Sequence, residues 1–350
     1  MGGGNNQPGT SYSIFTSFLL IEITGLDKIE EIFMNRSVAG ASVLLIFALL
    51  LARSPATPLG CRQQDQSVPG GKQKADVPSF APLVEVQHGD YADARRGFRT
   101  QLLRVAPSPQ PWEPVRPPTG VIEVEYLSGK VRLKAWVNLP KGGDSKRAGV
   151  LFLHGGFAFG LEDWETSQPF RDAGYVVLTP ILRGENGQPG AFTFFYDEVD
   201  DVLAAAECLS QQPYVDAERL FIAGPSAGGT LALLAAMVST RFHGVASFSA
   251  TPDQVLFCKY AKNASRDVPI DITNMRELQM RSPLAYAMSF KCPARVFYGS
   301  LEPEWKQTSQ LMADLARKHG LDVEAVEVEG DHSTSVRPAI DRAIAFFRDK

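Results

Sequence analysis

The chain has 350 residues, 44% of them hydrophobic and 21% charged, with a formal net charge of −4. This is the composition of a core-forming globular protein, with room for one large domain or two ordinary ones. Its Lys and Arg residues form no basic cluster, so the electrostatic footprint of a nucleic-acid-binding protein is missing, and no period of roughly 20–50 residues signals a repeat architecture.

Residues 1–13 are rich in Gly, Asn and Ser and read as an extension without a core. The segment "VAGASVLLIFALLLA", 38–52, follows Arg36 and carries no charge. It is shorter than the about 20 apolar residues of a membrane-spanning helix and suits the apolar core of a secretory signal. "RSPATPLGC" comes next and places Cys61 after small residues. This resembles a bacterial lipoprotein signal with Cys61 as the lipidated residue, although the box reads Pro58-Leu59-Gly60, its leading Leu displaced by one place. A product starting at Met34 has a short positive region directly before the apolar run, so residues 1–33 are read as lying upstream of the true start. The expected location is the cell envelope, with membrane anchoring by lipid or by an uncleaved signal.

Three regions follow: 1–60 as extension and signal, 61–118 as a Pro-rich linker, and 119–350 as the catalytic domain. Within the linker, "APSPQPWEPVRPPTG" (106–120) predicts an extended, polyproline-like connector.

From 121 the text alternates apolar and polar residues in "VIEVEY" and "VRLKAWVNL", with Ser128-Gly129 between them, a hairpin signal. Six short apolar runs then alternate with helical patterns: 149–154, 175–182, 219–224, 244–250, 294–299 and 323–330. Such runs suit strands buried on both faces of a parallel sheet. The pattern predicts an α/β fold with an eight-stranded, mostly parallel sheet flanked by helices, whose chemistry gathers at the carboxyl ends of the strands. Residues 251–293 are too long for an ordinary connection and are expected to form a small helical cap that governs specificity. Cys258 and Cys292 bracket it, either paired or as two thiols. Arg183, after the second parallel run, either reaches the site or braces its loop.

The candidate site lies at three of those strand ends. Gly224-Pro225-Ser226-Ala227-Gly228 is a G-x-S-x-G pentapeptide between an apolar strand and an apolar helix, the context of a nucleophile elbow. The sharp turn leaves no room for side chains at Gly224 and Gly228. The alternative for Ser226 is a plain helix cap. A serine nucleophile needs a base, and of five histidines His332, just past the last strand, is the candidate. Glu302, three residues past Gly299, is the candidate acid that orients it, with Glu304 in reserve. The order Ser, acid, His is the order of this fold class. "HGGF" at 154–157 supplies backbone donors for an oxyanion hole, assigned to the N–H of Ala227 with that of Phe157 or Gly156. The histidines are too few and scattered for a zinc cluster, so no metal or cofactor is expected.

These residues resemble the α/β-hydrolase superfamily over 119–350, and within it the catalytic domains of prolyl-oligopeptidase-like (S9) and dienelactone-hydrolase-like enzymes. "HGGF", "LTPILRGENGQPG", "PYVDAERLFIAGPSAGG" and "MRSPLAYAMSFKCPARVFYGS" carry the resemblance. It implies Ser-acid-His catalysis through an acyl-enzyme, with two departures: Glu302 where Asp is commoner, and Pro225 before the nucleophile. About 60 residues between signal and domain are too few for the β-propeller of full prolyl oligopeptidases, so the expected substrate is a small ester or short peptide. The rival expectations are a catalytically silent binding protein of the same fold and an acyltransferase using the same site.

Overall fold

The computed structural model describes residues 81–140, 142 and 145–350. The segment 38–52, Met34 and Cys61 lie outside the described residues. Among those described, no helix is long and apolar enough to cross a membrane.

A helix, α1 (Tyr91–Gly97), comes first, capped by the Asp90 carboxylate, which accepts from the N–H groups of Ala92 and Asp93. The hairpin follows as β1 (Val121–Ser128) and β2 (Val131–Asn138), paired antiparallel along their whole length. Gly129 takes the first turn position with φ +58°, as the primed hairpin turns require. After these come β3 (Arg147–Phe152), α2 (Leu161–Thr166), α3 (Gln168–Asp172), β4 (Val176–Pro180), α4 (Glu198–Ser210) and β5 (Val215–Pro225). The chain continues through α5 (Ser226–Val238), β6 (Phe242–Phe248), α6 (Gln254–Tyr260), α7 (Ala264–Asp267) and α8 (Met275–Gln279). A kinked 3-10 stretch (Pro283–Ser289) precedes β7 (Ala294–Gly299), α9 (Pro303–Lys318), β8 (Val323–Val328) and α10 (Val336–Arg348).

All eight strands form one sheet in the order β1-β2-β4-β3-β5-β6-β7-β8, antiparallel through β1 and β2 and parallel from β4 onward. The six apolar runs therefore became six strands, each within a few residues of its expected place. Side chains alternate between two cores as strand geometry demands. Leu220, Ile222 and Val245 join the core under α4, α5 and α9, whereas Phe221, Ala223 and Ala246 join the one under α2, α3 and α10. The helix α5 is apolar all round and is buried from Ala227 to Met237, as a helix against the sheet centre must be.

The expected cap, 251–293, contains α6, α7, α8 and the 3-10 stretch. Cys258 and Cys292 are both free thiols there, each pushed up to about 12 by burial. Within the expected linker, residues 81–102 carry α1 and pack along the domain, with Val84 and Tyr91 buried and Ala94, Phe98 and Leu102 against the same core, whereas 106–118 forms no helix or strand. Tyr91 is fully buried, its ring 4.9 Å from that of Tyr286, and its hydroxyl donates to the Met280 carbonyl at 2.8 Å. The fully buried Asp253 carboxylate accepts from the N–H groups of Leu83 and Val84 at 2.6 and 2.9 Å. Arg281, also fully buried, bonds Glu277, the Thr193 carbonyl and the Thr100 hydroxyl, which binds the arm to the cap.

The arm is thus expected to be part of the cooperative fold. Tyr91→Ala should cost about 3–5 kcal/mol, the usual range for removing a large buried aromatic side chain, read as a shifted urea midpoint for the whole domain. A midpoint equal to wild type would show the arm to be an appendage.

Candidate active site

The elbow is made by close backbone approach. A β-carbon on Gly224 would sit 2.6 Å from the Leu153 carbonyl oxygen, and one on Gly228 would run into the carbonyl oxygens of Leu153 and His154. Strand β3 and the start of α5 therefore touch backbone to backbone, and only glycine fits on the elbow side. Ser226 lies between these contacts with φ +51°, a left-handed conformation that costs a non-glycine residue about 1–3 kcal/mol. The cap position of α5 belongs to Pro225, which makes no side-chain cap bond. Ser226 is not the helix cap.

Glu302 and His332 stand past the ends of β7 and β8, on the same carboxyl edge. The His332 ring donates from Nδ1 to Glu302 Oε1 at 2.7 Å, with both side chains largely buried. Because the carboxylate can only accept, the Nδ1 proton is fixed and the lone pair of the neutral ring resides on Nε2. The other carboxylate oxygen, Oε2, accepts from the Gly299 N–H at 2.7 Å and from the Ser249 hydroxyl at 2.5 Å. Ser249 in turn lies 3.2 Å from the Ser335 hydroxyl. Two donors thus hold Glu302 in place before it orients the imidazole. A β-carbon on Gly299 would meet the Gly330 carbonyl oxygen at 2.6 Å and Glu302 Oε2 at 2.8 Å, which lets the longer acid fold back against its strand.

The neighbouring acids take other roles. Glu304, in the first turn of α9, has Oε2 buried without a hydrogen-bond partner among the described residues, and burial raises its pKa. Asp331 accepts from the N–H groups of Ser333 and Thr334, at 3.0 and 2.8 Å, and shapes the loop that carries His332. Arg183 braces its loop: its guanidinium bonds both oxygens of Asp201, at 2.9 and 2.6 Å, and Ser128 at 3.2 Å.

The "HGGF" turn packs against the elbow. A β-carbon on Gly155 would lie 3.6 Å from the Pro225 ring and 3.9 Å from the Ser226 β-carbon. The Phe157 N–H donates to the side-chain oxygen of Gln110 at 2.7 Å, while Gly156 holds φ +65° beside the same side chain. Ala227, the other assigned donor, is the second residue of α5.

Beneath this turn His154 is buried with both ring nitrogens on acceptors, Nε2 2.9 Å from Glu185 Oε2 and Nδ1 3.0 Å from the Gly155 carbonyl. A neutral ring has only one donor, so His154 is an imidazolium. Burial alone would lower its pKa. The charge and hydrogen bond of Glu185 outweigh that and hold it up at about 9. The cavity behind the turn, bounded by Leu153, Phe157, Leu182, Phe192 and Phe195, has a volume of about 10 Å³, room for at most one water.

Four contributors escaped the sequence reading. Ser249 ends the strand beside β7, so the sheet order would have located it. Ser335 follows the histidine loop by three residues. Glu185 belongs to the "RGENG" loop, whose Arg183 drew the attention. Gln110 gave no signal, because nothing local marks which residue of a Pro-rich stretch will cross a distant loop.

An elbow serine with positive φ, at the carboxyl edge of an eight-stranded sheet in this order, defines the α/β-hydrolase fold. The family model of the prolyl oligopeptidase family matches residues 162–342, about half of the chain, and the chain belongs to that family. An uncharacterized peptidase, YtmA, of Bacillus subtilis is 26% identical over 181 residues, which cover 50% of this chain and 70% of that one. Among solved structures, the acylaminoacyl peptidase of Pyrococcus horikoshii superposes with a TM-score of 0.53 at 20% identity, covering 65% of this chain and 40% of that chain. The EstE1 carboxylesterase from a metagenomic library superposes with a TM-score of 0.51 at 20% identity, covering 67% and 90%. The chain thus spans less than half the length of the acylaminoacyl peptidase it resembles, and nearly all of the esterase.

The His154–Glu185 pair carries a pH signature. A folded pKa of about 9 against an ordinary value of 6.5 means that its stabilisation is complete below pH 6.5 and fades as pH rises through about 9. Urea midpoints should fall between these limits in wild type and less so in His154→Gln. Glu185→Ala leaves a buried imidazolium without its counter-charge and should cost about 3–5 kcal/mol at pH 6.5.

Proposed function

We propose that this chain is a serine hydrolase that cleaves a small ester or a short peptide through an acyl-enzyme on Ser226. The observation that carries the reading is the 2.7 Å hydrogen bond between His332 and a buried Glu302 at the sheet edge that also bears the elbow serine. A hydroxyl is a weak nucleophile at neutral pH. In this reading His332 takes its proton through Nε2 as Ser226 attacks the substrate carbonyl, and Glu302 stabilises the imidazolium that forms. His332 then returns the proton to the leaving alcohol or amine. Water, activated by the same imidazole, releases the acid and restores the serine.

The tetrahedral intermediates place a negative charge on the former carbonyl oxygen. We assign its donors to the N–H groups of Ala227 and Phe157. Each such donor is worth roughly 3–4 kcal/mol in the transition state. The family membership and the names of the similar proteins, a peptidase and a carboxylesterase, support both amides and esters as substrates. Export and anchoring through residues 38–61 belong to the same proposal, and sequencing the mature N-terminus of the expressed protein tests them.

A fluorophosphonate probe should label Ser226 alone, and Ser226→Ala should abolish labelling and lower kcat by about a millionfold. Glu302→Gln should lower kcat by roughly 10⁴-fold with the protein folded, whereas Glu304→Gln should stay close to wild type. These rates are read on p-nitrophenyl esters of several lengths beside aminoacyl and prolyl amides. Turnover by Ser226→Ala near the wild-type rate would sink the assignment, and equal losses at Glu302 and Glu304 would sink the choice of acid.

A further inference from the structure

A backbone N–H that serves an oxyanion must present itself to the substrate, yet the Phe157 N–H is already engaged. Its acceptor is the side-chain oxygen of Gln110, 2.7 Å away. That oxygen belongs to a carboxamide, which has the acceptor chemistry of a substrate amide carbonyl. The approach is close: a β-carbon on Gly156 would come within 2.7 Å of the same oxygen.

Gln110 is delivered by an extended stretch, residues 106–112, that runs along the 184–192 loop to the "HGGF" turn. The Ser108 N–H donates to the Gly184 carbonyl at 2.9 Å, and the Phe192 N–H donates to the Ala106 carbonyl at 3.0 Å. The Ser108 hydroxyl bonds the Phe157 carbonyl and accepts from the Gln110 N–H at 3.3 Å. Trp112 lies over the loop at Gly187 and is 44% exposed. Pro107, Pro109 and Pro111 contribute no N–H, so the bonds that hold the stretch fall at Ala106, Ser108 and Gln110. Two side chains of the segment meet the turn, Ser108 at the Phe157 carbonyl and Gln110 at the Phe157 N–H, and of these Gln110 takes the N–H.

We infer that Gln110 is a resident occupant of the oxyanion site, which a substrate carbonyl displaces on binding, and that it sets the apparent affinity for every substrate. The inference rests on the hydrolase reading above and on Phe157 as a donor. Competition of this kind scales the Michaelis constant by the fraction of molecules whose donor is open. It leaves kcat unchanged, because saturating substrate removes the side chain completely. With one hydrogen bond at stake, the scale is roughly two- to tenfold.

Two substitutions of opposite sign test it. Gln110→Ala should raise kcat/KM on a p-nitrophenyl ester by roughly two- to tenfold, entirely through KM, and should speed fluorophosphonate labelling of Ser226 in parallel. Gln110→Glu supplies a stronger, charged acceptor and should lower both. A residue that merely propped the turn would give losses in both variants. If Gln110→Ala labels at Ser226 with kcat/KM unchanged or reduced, the occupant role is overturned. If Gln110→Ala does not fold, the Gln110→Glu arm decides by itself, since an unchanged or raised kcat/KM contradicts the inference. If folded wild type and Gln110→Ala both resist labelling, the hydrolase reading falls first and Gln110's role with it. Labelling of Gln110→Ala but not of wild type would support the inference in its strongest form.

Discussion

Two pieces of backbone lie against each other where β3 ends and α5 begins, and the remainder of the site takes its position from that contact. The carbonyl oxygens of Leu153 and His154 occupy the space that side chains at 224 and 228 would need. The strand and helix approach so closely that the chain must turn within one residue, which forces Ser226 to a positive φ. The same approach brings the "HGGF" turn beside the serine. The elbow serine and the "HGGF" turn are thus two sides of one steric contact.

The other half of the site is aligned by polar rather than steric means. Glu302 holds one oxygen on the imidazole and the other on Gly299 and Ser249, so its carboxyl plane has little freedom to rotate. An aspartate at the same position would be one methylene shorter. The added reach of glutamate is absorbed at Gly299, where a side chain would strike Glu302 Oε2 and the Gly330 carbonyl. This accounts physically for the first departure from the family pattern. The second, Pro225, occurs at an extended position with φ −87°, where proline fits and its missing N–H leaves no helical bond unmade.

Much of this was legible in the sequence because it is written locally. Strand placement follows from runs of apolar residues, the elbow from five consecutive residues, and the histidine and acid from their offsets past a strand. What was not legible depends on contacts between segments far apart in the chain. Ser249 matters only because β6 lies beside β7. Tyr91 reads as a lone aromatic residue among charges, and its burial follows from a cavity built some 190 residues later. Gln110 is the extreme case: a polar residue between two prolines carries no periodicity, and its partner is fixed by how the arm is routed over the sheet edge.

That routing bears on how the protein is made. The N-terminal arm docks on both ends of the cap: Tyr91 N–H on the Ser289 hydroxyl, Asp90 on Lys291, and Leu83 and Val84 on Asp253. Ribosomes release the chain at about 5–20 residues per second, so Tyr91 waits roughly 10–40 s before its partners emerge. During that interval the apolar side of α1 has no surface to cover it. The arm therefore takes its folded place only once the last third of the polypeptide has arrived.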